Sequence, residues 1–177
     1  GQALLDDIKR IYGRDLPILI YGFSGGAQFA SRLVDWCPDR IIAWCAYSAQ
    51  FWDYSECTKT VTKARGIVAC GEGDNLRWQP SFSFYYKGRS NNRPWMWISL
   101  PNTGHARNMK LENFVRNFFQ EELAIYDGTK KAEKDIWSDI SNRKYETTIP
   151  LPKEKSALQC PIRTKELFEE WKEIQTP

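Results

Sequence analysis

Four runs of mostly apolar residues lie in the first two thirds of the chain. They span residues 16–21, 40–47, 66–70 and 95–100. Within each run apolar side chains follow one another instead of alternating with polar ones. This pattern is typical of strands that are covered on both faces of a parallel sheet. We therefore predict four strands in a largely buried sheet.

Amphipathic stretches with helical spacing separate these runs. They cover residues 4–12, which Gly13 closes, residues 27–34 and residues 111–119, and a weaker helical signal covers 80–88. Strands that alternate with helices predict an α/β fold, in which helices cover both faces of a mostly parallel sheet. In such sheets, functional residues gather beyond the carboxyl ends of the strands.

The pattern changes at Asp127, where charged residues become frequent and prolines interrupt the chain. We predict two parts, a core over residues 1–126 and a charged helical tail over 127–177. The spacing of four apolar residues predicts a first short helix in the tail, and another four predict a second, with Thr164 as its N-cap. The two sets are Ala132, Ile136, Trp137 and Ile140, and Leu167, Phe168, Trp171 and Ile174. Their apolar faces are expected to pack onto the core or onto a partner.

Composition narrows the function classes. The chain has 177 residues, of which 42% are hydrophobic and 14% aromatic, so it can bury a real core. Its net charge of +3 comes without a basic block, which gives no indication of a nucleic-acid partner. No apolar stretch approaches the roughly 20 residues that span a bilayer. We predict no membrane span, and the cellular compartment stays open.

The five cysteines show no C-x-x-C spacing, and the chain has a single histidine. A zinc site is therefore not expected, and we predict neither a metal nor a cofactor. Cys45 and Cys70 lie inside apolar runs and are interpreted as buried thiols. Cys37, Cys57 and Cys160 lie near predicted turns, where a disulfide between two of them stays open.

Three polar loops follow predicted strands and together suggest nucleophilic catalysis. Residues 22–26 have the pattern G-x-S-x-G between a strand and a helix, with Ser24 at its centre. Asp74 follows the third apolar run, and His105, the only histidine, follows the fourth. We predict Ser24 as the nucleophile, His105 as its base and Asp74 as the acid that orients the imidazole. The alternative for residues 22–26 is an ordinary glycine-rich turn or a phosphate-binding loop.

The glycines around Ser24 have predicted roles as well. Gly22 and Gly26 are expected to let strand and helix approach closely, because a Cβ at either position would clash. The N–H of Gly25 is expected to point to the oxyanion. For the acid, Glu72, Asp53 and Glu56 are the alternatives to Asp74.

Signals for the substrate are few. Six aromatic residues near the expected site could form a rim for an acyl, aryl or sugar group, or could simply be packing residues. They are Phe51, Trp52, Tyr54, Trp78, Tyr85 and Tyr86. Arg107 could meet an anionic group or be a surface arginine. Trp95 and Trp97 are predicted to be core residues.

The three motifs occur in the order serine, acid, histidine, and in this the chain resembles the α/β-hydrolase superfamily. The resemblance covers residues 1–125 and maps onto the carboxyl-terminal half of that fold; the Gly22–Ala27 segment is most similar to the esterase and polyester-depolymerase-like branch. It implies a serine hydrolase that cleaves a small-molecule carboxylic ester, or another acyl substrate, through an acyl-enzyme. A serine peptidase of the prolyl-oligopeptidase type and a non-catalytic binding protein with a hydrolase fold are the alternatives.

The chain departs from that superfamily at its start. Family members have further amino-terminal strands and a loop that supplies the second oxyanion N–H, and neither is found before the predicted strand 16–21. We therefore expect the chain to be an incomplete enzyme. Strand 16–21 is expected to pair with a missing amino-terminal part or with a second chain, because it is too apolar on both faces for a solvated edge.

Overall fold

The computed structural model describes residues 1–53, 64–141, 145–146 and 157–177. The helices within them are α1 (Gln2–Tyr12), α2 (Gly25–Trp36), a 3₁₀ turn (Pro38–Arg40), α3 (Trp78–Ser90), α4 (Met109–Tyr126) and α5 (Lys165–Glu173). The strands are β1 (Ile18–Phe23), β2 (Ile41–Tyr47), β3 (Arg65–Gly71), β4 (Trp95–Leu100), β5 (Ile136–Asp139), β6 (Tyr145–Glu146) and β7 (Gln159–Ile162).

The first four strands form one parallel sheet in the order β1-β2-β3-β4. This confirms the predicted α/β fold, and β4 covers the residues predicted for it. The first strand begins at Ile18, two residues later than predicted. Pro17 has no N–H for a ladder, and the guanidinium of Arg40 donates to the Leu16 carbonyl oxygen at 2.9 Å instead.

Helices cover both faces of the sheet. On one face, α2 and α3 pack with Trp44, Val68 and Trp95 in a buried cluster. On the other face, α4 and α5 pack with Ile67 and Ile98 in a second cluster. The predicted core positions of Trp95 and Trp97 are confirmed, since both are buried.

The tail differs from the prediction in its first half. Instead of a helix over residues 132–140, Ile136–Asp139 is a strand that pairs antiparallel with Gln159–Ile162. A segment this short carries too few turns for periodicity to separate helix from strand, and the pairing with β7 decides the outcome. The second predicted helix is present as α5, with the Thr164 hydroxyl accepting from the Leu167 N–H.

The tail shares the core of the chain. Cys160, Ile162, Leu167 and Trp171 belong to the same buried cluster as Ile98 of β4. These residues of the tail therefore pack onto the sheet, which is one of the two predicted possibilities.

The four cysteines among the described residues are free thiols. Cys45, Cys70 and Cys160 are buried and free, and Cys37 is half-buried and free, whereas Cys57 lies outside the described residues. Burial raises the pKa of the Cys160 thiol to about 12, and it also raises the pKa values of Cys45 and Cys70. These thiols stay protonated at neutral pH.

Candidate active site

Ser24 lies at the sharp turn between β1 and α2. Its backbone has φ 55° and ψ −116°, a conformation that residues other than glycine rarely adopt. The Ser24 N–H donates to the Tyr47 carbonyl oxygen at 2.9 Å, which ties the turn to the end of β2. The turn therefore holds the side chain of Ser24 beyond the sheet, where other strand ends can reach it.

Only one of the two predicted glycine clashes is present in this turn. A Cβ on Gly22 would lie 2.1 Å from the Gly26 carbonyl oxygen, so the missing side chain of Gly22 lets the first turn of α2 approach β1. The prediction for Gly26 itself is wrong, because a Cβ there would meet open space. The close approach uses the backbone of Gly26, not its missing side chain.

His105 joins Ser24 to Asp74 through its two ring nitrogens. Its Nε2 lies 3.0 Å from Ser24 Oγ, and its Nδ1 lies 2.8 Å from Asp74 Oδ2. The His105 side chain is 31% exposed, whereas that of Asp74 is only 3% exposed. With Nδ1–H donating to the carboxylate, the lone pair of Nε2 faces the serine hydroxyl. The structure thus brings the three predicted residues into one hydrogen-bonded chain.

Two loops pack together to place Asp74 under the imidazole. A Cβ on Gly71 would lie 2.2 Å from the Thr103 carbonyl oxygen, and the Gly73 N–H donates to that same oxygen at 2.9 Å. These contacts hold the loop after β3 against the loop that carries His105.

The alternative acids occupy other positions. Glu72 is exposed, and Asp53 is half-buried in the loop after β2. Glu56 lies outside the described residues. The carboxylate that contacts His105 is that of Asp74.

Two aromatic rings that were not predicted support the imidazole. The Phe23 ring stacks on His105 with centroids 4.8 Å apart, and it also packs on Tyr47. The Tyr47 hydroxyl donates to the Ala106 carbonyl oxygen at 2.6 Å, next to His105. Burial raises the pKa of Tyr47 to about 12, so this donor keeps its proton. Nothing in the sequence pattern signals these contacts, since they join the ends of three different strands.

A third unpredicted neighbour is Arg77. Its Nη1 donates to Asp74 Oδ1 at 3.0 Å, the carboxylate oxygen that His105 does not use. The spacing of three residues between Asp74 and Arg77 was the available signal. This spacing allows an ion pair between a carboxylate and a guanidinium across one helical turn.

Gly25 is the first residue of α2, directly after Ser24, and is exposed. The first N–H groups of a helix have no partner inside that helix. The Gly25 N–H is one of these groups and lies at the positive end of a 12-residue helix. Its role as an oxyanion donor stays a prediction.

The aromatic residues considered for a substrate rim divide into two groups. Trp52 and Tyr85 are buried core residues, and half-buried Trp78 donates from its Nε1 to Ser99 Oγ at 2.9 Å. Phe51 and Tyr86 are exposed, and Tyr54 lies outside the described residues.

Arg107 is a surface arginine with its own partner. Its guanidinium donates to both carboxylate oxygens of Glu112, at 2.7 and 2.8 Å. The pair is 70% exposed on the arginine side. This is the second of the two predicted possibilities for Arg107.

The described residues contain neither a metal-binding group of side chains nor a helix that could span a membrane. Among residues 1–53, 64–141 and 157–177, no group of three or more His, Cys, Asp or Glu side chains is placed to hold a metal ion. No helix in the same ranges is both long enough and apolar enough to cross a membrane.

Comparison with known proteins supports the fold. No protein-family model and no curated protein sequence matches the chain. Among solved structures, it is similar to Est1E from Butyrivibrio proteoclasticus, with a TM-score of 0.53 and 15% identity over 68% of each chain. It is also similar to an uncharacterized protein from Bacillus cereus ATCC 10987, with a TM-score of 0.53 and 16% identity. That match covers 73% of this chain and 44% of the Bacillus protein. The chain thus shares its α/β fold with both structures.

Proposed function

We propose that the chain carries the site of a serine hydrolase of the α/β-hydrolase type, which cleaves carboxylic esters through an acyl-enzyme. The observation that supports this most directly is the hydrogen-bonded chain from Ser24 Oγ through His105 to Asp74, with distances of 3.0 and 2.8 Å. Catalytic hydrogen bonds of this kind fall at about 2.6–3.2 Å. The strained turn at Ser24 is the further feature expected of a nucleophile elbow.

In the proposed reaction, Ser24 Oγ attacks the ester carbonyl carbon while its proton passes to His105 Nε2. The carbonyl π electrons move onto oxygen and give a tetrahedral oxyanion. As the oxyanion collapses, the bond to the leaving oxygen breaks, and His105 gives its proton to the departing alcohol. A water molecule then attacks the acyl-enzyme by the same route, which releases the acid and restores Ser24.

Asp74 stabilises the imidazolium that forms in both steps, and its burial makes that interaction stronger than it would be in water. The N–H of Gly25 is the donor that we assign to the oxyanion. We assign the second donor to the segment or chain that is proposed to pair with β1. Removal of one oxyanion donor lowers kcat by about 10²–10³-fold, so we expect kcat to depend on the second donor as well.

The test is fluorophosphonate labelling of a form of the protein in which β1 is paired, followed by mapping of the modified residue and by assay on an aryl ester. Labelling depends on an activated serine. We expect one label, on Ser24. The substitution Ser24→Ala should abolish the label and lower kcat by about 10³-fold or more, with little change in Tm.

Ser83→Ala is the matched control, because Ser83 is an exposed serine on α3. It should keep both the label and the turnover. Retention of most of the turnover by Ser24→Ala would show that Ser24 is not the nucleophile. A label on Ser24 together with efficient, Ser24-dependent cleavage of a peptide anilide would indicate a peptidase instead.

A further inference from the structure

Arg77 occupies a position from which it can act on the candidate base without touching it. Each oxygen of Asp74 has a different partner: Oδ2 faces His105 Nδ1 at 2.8 Å, and Oδ1 accepts from Arg77 Nη1 at 3.0 Å. We propose that Arg77 is a positioning residue, which fixes the Asp74 carboxylate toward His105 and offsets part of its negative charge. This inference rests on the proposed function for its catalytic meaning.

The local backbone explains how Arg77 reaches the carboxylate. The Asp74 N–H donates to the Gly71 carbonyl oxygen, and the Asp74 carbonyl oxygen accepts from the N–H groups of Arg77 and Trp78. This tight turn leads into α3 and brings the side chain of Arg77 back over that of Asp74. The position of α3 is fixed in turn by the hydrogen bond from Trp78 to Ser99 of β4.

Burial gives the ion pair its importance. The side chain of Asp74 is 3% exposed and that of Arg77 is 18% exposed, so solvent screens their interaction less than it screens a surface pair. The bond also fixes the rotation of the carboxylate, since both oxygens are held. The oxygen that faces His105 is therefore held in place before the imidazole becomes charged.

The sign of the electrostatic effect follows from the charges. Protonation of His105 is favoured by the negative Asp74, and Arg77 compensates part of that negative charge. Without Arg77, the imidazolium would face an uncompensated carboxylate and would form at a higher pH. Removal of Arg77 is therefore expected to favour protonation of His105 Nε2, the atom that is proposed to accept the serine proton.

Among the described residues, the titratable groups that interact with Asp74 or lie on the two loops stay neutral, pair with another residue or face solvent. Cys70 and Tyr47 interact with Asp74, but burial raises both their pKa values, so each keeps its proton at neutral pH. On the loop of His105, Arg107 is bonded to Glu112. On the loop of Asp74, Glu72 is exposed to solvent. In the part of the chain that the structure describes, Arg77 is therefore the charged arginine that binds Asp74 directly.

The single histidine allows a direct test without any assay of activity. Because the chain contains one histidine, the imidazole signals in an NMR titration belong to His105. We expect Arg77→Met to raise the midpoint of this titration by about half to one pH unit. Arg77→Lys keeps the charge, and its titration midpoint should stay near that of the wild type. Arg77→Gln keeps a donor but not the charge, and its midpoint should rise as in Arg77→Met. The glutamine variant replaces the methionine variant if the latter does not fold.

Arg107→Met is the matched control, because it removes the same charge from an exposed arginine whose partner is Glu112. It should move the midpoint much less than Arg77→Met. An unchanged or lowered midpoint in both neutral Arg77 variants would overturn the proposal, as would equal shifts in the Arg77 and Arg107 variants. If the midpoint of Arg77→Lys rose as far as that of Arg77→Met, the charge of Arg77 would not be the cause of the shift, and the proposal would also fail.

The failure of this inference is distinguishable from the failure of the proposed function. If the chain hydrolyses esters, the acidic limb of kcat/KM should move with the NMR midpoint in each Arg77 variant. A shifted midpoint without labelling of Ser24 would refute the hydrolase and leave the role of Arg77 toward His105 intact. Labelling of Ser24 with no shift of the midpoint would refute the role of Arg77 alone.

Discussion

The two outer strands of the parallel sheet lie in different surroundings. At the β4 side, the tail closes the edge with side chains rather than with another strand. Trp171 Nε1 donates to the Trp97 carbonyl oxygen at 2.8 Å, and the Ser99 N–H donates to Gln175 Oε1 at 3.0 Å. Gln175 also donates to the Trp171 carbonyl oxygen. Backbone groups that a further strand could bind are thereby occupied.

At the β1 side, the described residues offer no such cover. Within them, β1 pairs with β2 alone, and five of its six residues are only half-buried. A cavity of about 250 Å³ lies between this strand and α4. Its lining residues are Tyr21, Arg107, Glu112, Val115, Arg116 and Phe119.

The difference bears on the candidate site because the two edges hold different parts of it. His105 follows β4, the covered strand, whereas Ser24 follows β1. An unpaired apolar edge tends to recruit another strand. A segment that pairs with β1 would therefore lie beside the candidate nucleophile, where the proposed hydrolysis requires a second oxyanion donor. The β4 edge is covered by the tail, and we propose that the open β1 edge is completed by a partner.

The largest effect is expected from removing the indole that closes the β4 edge. Trp171 is fully buried, packs in the same cluster as Ile98 and donates the bond to Trp97. Trp171→Ala should lower the free energy of unfolding by about 3–5 kcal/mol, measured by urea denaturation. Trp36→Ala is the control, since Trp36 is 50% exposed, and it should cost less than about 1 kcal/mol. Equal losses would mean that the tail is not part of the core.

The next prediction concerns pairing along β1, which hydrogen exchange can resolve residue by residue. The Ser24 N–H points to β2, and N–H groups alternate sides along a strand, so those of Ile20 and Gly22 also point to β2. Those of Leu19, Tyr21 and Phe23 point to the open edge. We expect protection of this second set in a complex with a partner segment or in a self-associated preparation.

Dilution to single chains should remove that protection, while the amides of Ile20 and Gly22 stay protected and serve as the internal control. Light scattering measures the mass of the species at each concentration. A chain that stays monomeric at every concentration and hydrolyses esters at a normal enzyme rate would contradict the prediction. In that case a donor within this chain would have to complete the oxyanion site.

The sequence was most informative where runs of residues have a clear start and end. The strand at residues 95–100 was predictable to the residue because Pro94 and Pro101 flank it. Ser24, Asp74 and His105 could be placed at strand ends because each follows an apolar run. Their meeting in one site then follows from the common direction of parallel strands. Their catalytic roles stay predictions.

The sequence was least informative where structure depends on distant partners. Residues 136–139 fit a helical stripe, and only the pairing with residues 159–162 makes them a strand. The sequence does not predict the strand at residues 159–162 either, because this segment contains Pro161 and has polar neighbours. The stacking of Phe23 on His105 depends on how the end of β1 and the loop after β4 approach each other, which no local pattern encodes. Arg77 is the exception, because its spacing from Asp74 was visible in the sequence.

The smallest expected effect isolates one hydrogen-bonding side chain at the covered edge. Gln175 is 1% exposed, accepts from the Ser99 N–H and donates to the Trp171 carbonyl oxygen. Gln175→Met keeps most of the side-chain volume but leaves the Ser99 N–H and the Trp171 carbonyl oxygen without this partner. The free energy of unfolding should therefore fall by about 1–3 kcal/mol. Gln120→Met on the exposed face of α4 is the matched control and should change the free energy of unfolding by less than about 0.5 kcal/mol. Urea denaturation of both variants measures the difference. If they lose equally little stability, the β4 edge is protected by packing of the tail alone, and its side-chain hydrogen bonds are not what distinguishes it from β1.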